Sequence, residues 1–364
     1  MSFYAKMINQ YIKPKENFWY IIWIKEGRKM KILLPDTVGY KANLHTHTAD
    51  SDGICTAEEV KRYYRAHGYS ILAYTDHLYM RDRSALSDEN FVALSGYENC
   101  IHDGGGANAD KAYHLNFYAP QPDNVGMVGV AERFYNFFNI ELTKKSEREL
   151  EASPVLGGFC DPTYSVENVN GIIAQARALG YLVVYNHPVW SCHEAKDYLG
   201  LKGLSGMEIV NYSSFRQGIE PDDMGIIYDQ MLKDGQRLYC FANDDVHRCL
   251  EKDSLGGFNI MYPERLDYQS VFECMKNGRF YASTGAKIRG IAVDGNKIYV
   301  GAENARSIRL STDGRFGKLI TRSEPVKEAV FELNEYVKYF RISVEDFNGK
   351  KAFSRAYFAD EFRG

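Results

Sequence analysis

The stretch Asn43-Leu44-His45-Thr46-His47-Thr48-Ala49-Asp50-Ser51-Asp52-Gly53, with Tyr74-Thr75-Asp76-His77 further along, decides how this chain is read. Alternate residues of an extended segment share a face, so His45 and His47 present two imidazoles to one side. Two neutral imidazoles together make a poor core and a good half of a metal site. The Asp52-Gly53 turn just beyond can bring a carboxylate back over the same end. An HxH pair alone is weak evidence, and its meaning depends on whether the rest of the chain supplies the missing ligands.

Working outward, Thr56 and Glu59 form a capping-box signature that opens a helix through about His67, with Gly68 as its stop. Tyr69 to Tyr74 has the composition of a strand and carries Thr75-Asp76-His77 at its C-terminal end. A strand from Phe91 ends at Gly96-Tyr97-Glu98, and the alternating run Ala112 to Tyr118 contains His114. Ser165 caps a helix to Leu179, and the apolar run Tyr181 to Tyr185 reads as a strand buried on both faces, leading into Asn186-His187-Pro188. Met207 to Asn211 is a further strand, residues 223–233 a helix, and Arg237 to Ala242 a strand ending in Asn243-Asp244-Asp245-Val246-His247. A strand near 258–262, a helix over 268–276 and the segment 279–284 close this region.

That rhythm over residues 40–285 predicts a parallel α/β architecture. His45, His47, His77, Glu98, His187, Asp245 and His247 fall at C-terminal ends of predicted strands, and His114 falls within one. In an α/β barrel that is the active-site face. An open doubly wound sheet also places ligands there, but it does not gather so many strand ends around one point. Residues 121–163 break the rhythm and are expected to form an insertion or lid, helical over 130–150.

Residues 1–38 are expected to form a β-hairpin segment, its aromatic run at 18–24 too short to span a bilayer and not followed by a small-residue cleavage site. Residues 39–286 carry the barrel pattern. From 287 to 364 the helical signal vanishes, which predicts a small all-β, sandwich-like domain; it contains no His or Cys, so the chemistry belongs to the preceding domain.

Across its 364 residues the chain is 45% hydrophobic and 25% charged, an ordinary globular balance. A net charge of −4 disfavours nucleic acid or anionic membrane as a bulk electrostatic partner. Seven scattered cysteines without CxxC spacing suggest neither a zinc ribbon nor a redox dithiol; they fit a reducing compartment, and the default expectation is a cytoplasmic enzyme.

His45-Thr46-His47 with Asp52-Gly53, Thr75-Asp76-His77, Gly96-Tyr97-Glu98, His114, Asn186-His187-Pro188 and Asp245-Val246-His247 together resemble the PHP (polymerase and histidinol phosphatase) family of metal-dependent phosphoesterases. The blocks occur in that family's order over roughly residues 40–285. The resemblance implies an α/β fold, a distorted (βα)7 barrel, and a centre of three divalent ions (Zn, Mn or Fe). It implies that His45, His47 and Asp245 hold the first ion, that Glu98 bridges it to a second held by His114 and His187, and that Asp52, His77 and His247 hold the third. Glu98, Asp245 and His247 are then the residues nearest the chemistry. The donors are all N or O, which suits those metals. Asp50 competes with Asp52 for the third ion, and Asp76 and Asp244 are expected to orient imidazoles from behind. The motif Gly278-Arg279-Phe280-Tyr281-Ala282-Ser283-Thr284-Gly285 resembles the end of PHP domains that carry an appended β-domain.

The implied activity is hydrolysis of a phosphate ester in a small molecule or nucleotide. An amidohydrolase-like C–N hydrolase is the second reading, although that class typically bridges its ions through Lys. From a different class, a glycan- or partner-binding protein on a retained barrel is an alternative, and nuclease or proofreading use of the fold ranks third, disfavoured by the net acidity and the lack of basic stretches. His67, His102 and His193 read as capping, loop and core residues. Arg81, Arg216, Arg248 and Lys287 are candidates to meet phosphate, with surface ion pairing the competing role for each.

Overall fold

A computed structural model describes residues 30–103, 111–132, 135, 153–160, 163–248 and 252–363. The apolar run at 18–24 and most of the helix expected at 130–150 lie outside the described residues. The chain divides into two compact units, one of Gly39–Gly285 with Lys350–Ala356, the other of Met1–Val38, Ala286–Gly349 and Tyr357–Gly364.

Strand β1 (Lys31–Leu34) belongs to the smaller unit. The larger unit begins with β2 (Tyr40–Asn43), α1 (Ala57–Ala66), β3 (Tyr69–Tyr74), β4 (Val92–His102) and β5 (Ala112–Tyr118). It continues through α2 (Val166–Ala178), β6 (Leu182–Tyr185), α3 (Ala195–Tyr198), β7 (Gly206–Asn211), α4 (Tyr212–Arg216) and α5 (Ile226–Lys233). Strand β8 (Tyr239–Asn243), β9 (Phe258–Met261), α6 (Tyr268–Lys276) and β10 (Phe280–Ser283) follow. The capping box at Thr56 and Glu59 is formed in full and sets the start of α1, while Ser165 caps α2 through the Asn168 N–H.

The sheet runs in the order β10-β9-β2-β3-β4-β5-β6-β7-β8, with the short strand Lys351–Ser354 on the far side of β10. Steps β2–β3, β3–β4, β6–β7 and β7–β8 are parallel. Steps β4–β5, β5–β6, β2–β9 and β9–β10 are antiparallel, so the sheet is mixed and not the uniformly parallel one expected. The β4–β5 reversal has a simple cause. Only the short connection at 103–111 joins them, and a parallel step needs a crossover of a dozen or more residues. Strand β4 is parallel to β3 up to Ser95, then turns antiparallel to β5 from Gly96 onward. A Cβ at Gly96 would sit 2.6 Å from the Phe117 carbonyl oxygen, so glycine admits β5 at the switch.

Alternation along the strands divides their side chains between two cores. Ile71, Ala73, Val92 and Leu94 face one shared with Val271, Phe272 and Met275 of α6, while Leu72, Tyr74, Phe91 and Ala93 face one shared with Val60 and Tyr64 of α1. The sheet curls until its flanks meet. Phe241 of β8 lies 4.7 Å from Phe280 of β10 between ring centroids, and Asn259 of β9 hydrogen-bonds both the N–H and the C=O of Ala242. Among the described residues, side chains and not a backbone ladder make this last step. The six described cysteines are free, and no described helix is long and apolar enough to cross a membrane.

In the smaller unit, β1 pairs with β11 (Lys287–Asp294), which pairs with β12 (Lys297–Thr312). Strand β12 also pairs with β13 (Lys318–Glu332) and β14 (Tyr339–Asp346), all antiparallel. One helical turn, Ala359–Phe362, was absent from the sequence reading.

Candidate metal centre

Nine side chains singled out in the sequence converge in the larger unit. His45 and His47 follow β2, and the His47 N–H donates to the Val246 carbonyl at 2.9 Å, tying this segment to the one after β8. His45 Nε2 and His47 Nε2 are 3.1 Å apart. Asp245 Oδ1 lies 3.1 Å and 3.0 Å from these two nitrogens, and Glu98 Oε2 lies 3.3 Å and 3.2 Å from them. Donors bonded at about 2.0–2.2 Å to one tetrahedral ion stand about 3.3–3.6 Å apart, so the two imidazole nitrogens stand at nearly that spacing from each other and from both carboxylates, slightly compressed.

Glu98 reaches further. Its Oε2 is 3.3 Å from His77 Nδ1, and its Oε1 is 3.1 Å from His114 Nδ1 and 3.5 Å from His187 Nε2. The strand does not end at Glu98, as the sequence suggested, but runs on to His102, because β5 takes over as its partner. A third set lies beside it: Asp52 Oδ2 is 3.4 Å from His247 Nε2 and 3.8 Å from His77 Nε2, and Asp52 Oδ1 is 3.6 Å from His47 Nδ1. Three overlapping groups could thus each hold an ion: His45, His47, Glu98 and Asp245; His77, Glu98 and His114; and His47, Asp52, His77 and His247. His187 stands at the edge of these groups, 3.9 Å from Asp245 Oδ2. Asp52 and His247, with side chains 35% and 26% exposed, form the open rim, whereas His45, His47 and Glu98 are buried.

The buried donor set fits divalent ions. His47 Nδ1 and His114 Nε2 are buried without a hydrogen-bond partner, a costly condition in a polar core. Burial disfavours charge on His45 and His47, but the Asp245 and Glu98 carboxylates outweigh it, holding His45 well above the usual imidazole range and raising His47 to about 10. Burial likewise opposes charge on Glu98 and Asp245, yet His45 and its neighbours hold both well below the usual carboxylate range. Burial keeps His77 neutral, lowered to about 3. A divalent cation would replace the protons that these crowded imidazoles and carboxylates share. The backbone is also forced here: His187 and Asp245 have φ of 25° and 57°, conformations that side-chain-bearing residues adopt rarely.

Orientation of the imidazoles comes from a residue the sequence reading missed. Glu208 Oε1 accepts from His45 Nδ1 at 2.8 Å and from Asn243 Nδ2 at 2.8 Å. Its Oε2 accepts from Asn211 Nδ2 at 2.9 Å and from the His187 N–H at 3.2 Å. A single acid in the buried strand Gly206–Asn211 was the available signal. Asn186 Nδ2 similarly donates to Glu98 Oε1 at 2.7 Å. His247 Nδ1 is 2.9 Å from the Asp245 carbonyl oxygen.

Asp76 and Asp244 act differently from expectation. Asp244 accepts from Tyr64 Oη and from the N–H groups of Leu255, Gly256 and Gly257, pinning that loop. Asp76 receives Thr48, Ser51 and Arg83. Asp50, the competitor for the third ion, is engaged by Arg83 at 2.9 Å. His67 binds the Tyr63 carbonyl at the end of α1, and His193 hydrogen-bonds Tyr185 Oη. Arg81, Arg216 and Arg248 are exposed, and Lys287, in the other unit, pairs with Glu303.

No family model matches the chain, and no curated protein does. Solved structures similar to it include a two-domain protein from Bacteroides vulgatus described as containing a predicted PHP-like metal-dependent phosphoesterase. That likeness has 13% identity over 90% of this chain and 99% of the other, with a TM-score of 0.41. A second is an amidohydrolase from Chromobacterium violaceum with bound sulfate and no metal, at 17% identity over 58% of this chain and 89% of the other, TM-score 0.34. A third is endonuclease Q in complex with a 27-mer duplex bearing an abasic lesion, at 12% identity over 65% of this chain and 56% of the other, TM-score 0.38. PHP-like metal-dependent phosphoesterases are thus among the proteins that this chain is similar to.

Proposed function

We propose that the chain is a metal-dependent phosphoesterase of the PHP type, built on that family's distorted barrel, which hydrolyses a phosphate ester of a small molecule or nucleotide at a centre of three divalent ions. The observation that carries this reading is Glu98, one buried carboxylate whose two oxygens lie within 3.5 Å of five histidines, His45, His47, His77, His114 and His187. A carboxylate shared in this way suits a bridge between ions. His45, His47 and Asp245 would complete the first site, His114 and His187 the second, and Asp52, His77 and His247 the third.

Bound Zn²⁺, Mn²⁺ or Fe²⁺ would supply a water acidified towards neutral pH and positive charge for the phosphoryl oxygens. The chain's own part is positional. Glu208 holds the Nδ1 proton of His45, so that Nε2 turns its lone pair inward. Asn186 fixes the rotation of Glu98 by occupying Oε1 from one side. Asp245, joined to His247 through the His247 Nδ1 contact to the Asp245 carbonyl, links the buried pair to the open rim that His247 and Asp52 form, where substrate would enter.

The bridge position argues for phosphate over C–N chemistry, since it is a glutamate where amidohydrolases of this kind typically use Lys. The test is the purified chain loaded with Mn²⁺ or Zn²⁺ and assayed on phosphomonoesters, phosphodiesters and cyclic amides. Turnover confined to phosphoesters is expected. Hydrolysis of the amides alone, or of nothing on the panel, would overturn the reading.

A further inference from the structure

Asp52 sits on a turn, and its aim must come from whatever holds that turn. The turn folds tightly: the Ser51 N–H donates to the Thr48 carbonyl at 3.0 Å and the Ala49 N–H to the Cys55 carbonyl at 2.7 Å. Asp76, at the end of β3, receives it. Asp76 Oδ1 accepts from the Thr48 N–H at 2.7 Å, from Thr48 Oγ1 at 2.9 Å and from Ser51 Oγ at 2.9 Å, and the Asp50 N–H donates to Thr48 Oγ1 at 3.1 Å.

Arg83 closes the arrangement. Its Nη2 donates to Asp76 Oδ2 at 2.8 Å and to Asp50 Oδ2 at 2.9 Å, joining a carboxylate on the strand end to a carboxylate on the turn. The side chain is 6% exposed, its guanidinium is 5.1 Å from the Tyr74 ring centroid, and its backbone N–H donates to Ser95 Oγ. Without that cation two buried carboxylates would face each other with their mutual repulsion unrelieved. The ion group of His45, His47, Glu98 and Asp245 has its own anchors, in Glu208, Asn186 and the His47–Val246 backbone bond.

We infer that Arg83, acting through Asp50 and Asp76, is the positioning residue for the third ion: it holds the 48–53 turn so that Asp52 faces His77 and His247. This rests on the three-ion reading. It also separates two levels of the centre, a deep part fixed by the strands and a rim part fixed by a salt-bridged turn.

The experiment is to strip full-length wild-type, Arg83→Met and Arg83→Lys protein of metal and titrate each with Mn²⁺ by calorimetry, counting bound ions by elemental analysis. Wild type is expected to take up three ions. Arg83→Met should keep two with unchanged affinity and bind the third at least tenfold more weakly, with Arg83→Lys recovering part of the loss. Three ions bound by Arg83→Met with wild-type affinity would overturn the inference, as would equal weakening of all three. Wild-type protein holding fewer than three ions would instead bring down the three-ion reading itself, and the inference with it. Should Arg83→Met fail to fold, Thr48→Val removes the turn's hydroxyl contact to Asp76 more gently and should weaken the third ion alone.

Discussion

Glu208 accepts a hydrogen bond from His45 Nδ1 at 2.8 Å, and this contact determines which nitrogen of His45 faces the centre. Both Glu208 oxygens are fully used, one by His45 and Asn243, the other by Asn211 and the His187 N–H. In Glu208→Gln an amide N–H₂ must replace one of those oxygens and meet existing donors head-on. Metal affinity at the first site should fall by about 10- to 100-fold, the usual effect of losing a partner behind a metal-bound imidazole. Calorimetric titration checks this, and an unchanged dissociation constant would remove Glu208 from the site.

Proton competition should be visible in metal uptake. In the metal-free chain the carboxylates raise His47 to about 10 and His45 well above its ordinary value, so both carry protons at neutral pH. An ion can bind their Nε2 atoms only as those protons leave, so affinity rises with pH from neutral towards the His47 value near 10. The slope is about tenfold per pH unit for each proton displaced. Glu98 and Asp245, held low, stay ionised across this window and contribute no slope. Titrations in buffers of different ionisation enthalpy should report proton release; heats independent of buffer would contradict it.

What the sequence made legible follows from where chemistry meets chain periodicity. His45, His47, His77, His187 and Asp245 stand just past strand ends, where a change from apolar run to polar residue is visible without a structure. Glu208 shows in the sequence only as one acid in a buried strand, because its task is set largely by His45, His187 and Asn243 from other segments. Asp76 and Asp244 differ from expectation because adjacency to a ligand in sequence is not adjacency to its ring: one holds a turn and the other a loop. Strand direction was hidden too. Composition marks β4 and β5 as strands, but their antiparallel pairing depends on a connection too short for a crossover.

Removing single ligands should separate chemistry from folding. His45→Ala should lower phosphoesterase activity by at least a thousandfold, about 4 kcal/mol of transition-state stabilisation. At position 245 the backbone matters: φ is 57°, which Asn tolerates and Ala does not readily adopt. Asp245→Asn should therefore lose activity as severely while melting close to wild type, whereas Asp245→Ala should also lose about 1–2 kcal/mol of stability. Paired activity and thermal-melting measurements decide it. Near-wild-type rates in Asp245→Asn would exclude Asp245 from the centre.

Gly53 closes the turn that carries Asp52, and space rather than φ makes glycine necessary there. A Cβ at this position would lie 2.7 Å from the His47 carbonyl carbon and oxygen and 2.7 Å from the Thr48 nitrogen. All three are backbone atoms of the ligand segment, so no side chain can swing aside to relieve the contact. In Gly53→Ala either the turn moves outward, taking Asp52 from His247, or the His47 segment moves and disturbs the buried pair. The first is easier, because the turn is on the open rim whereas the His47 N–H is bonded to Val246. The substitution should cost about 1–3 kcal/mol of stability and weaken the third ion more than the other two. Mn²⁺ titration alongside thermal melting tests both parts, and full three-ion uptake at wild-type stability would show that the turn has room the geometry denies it.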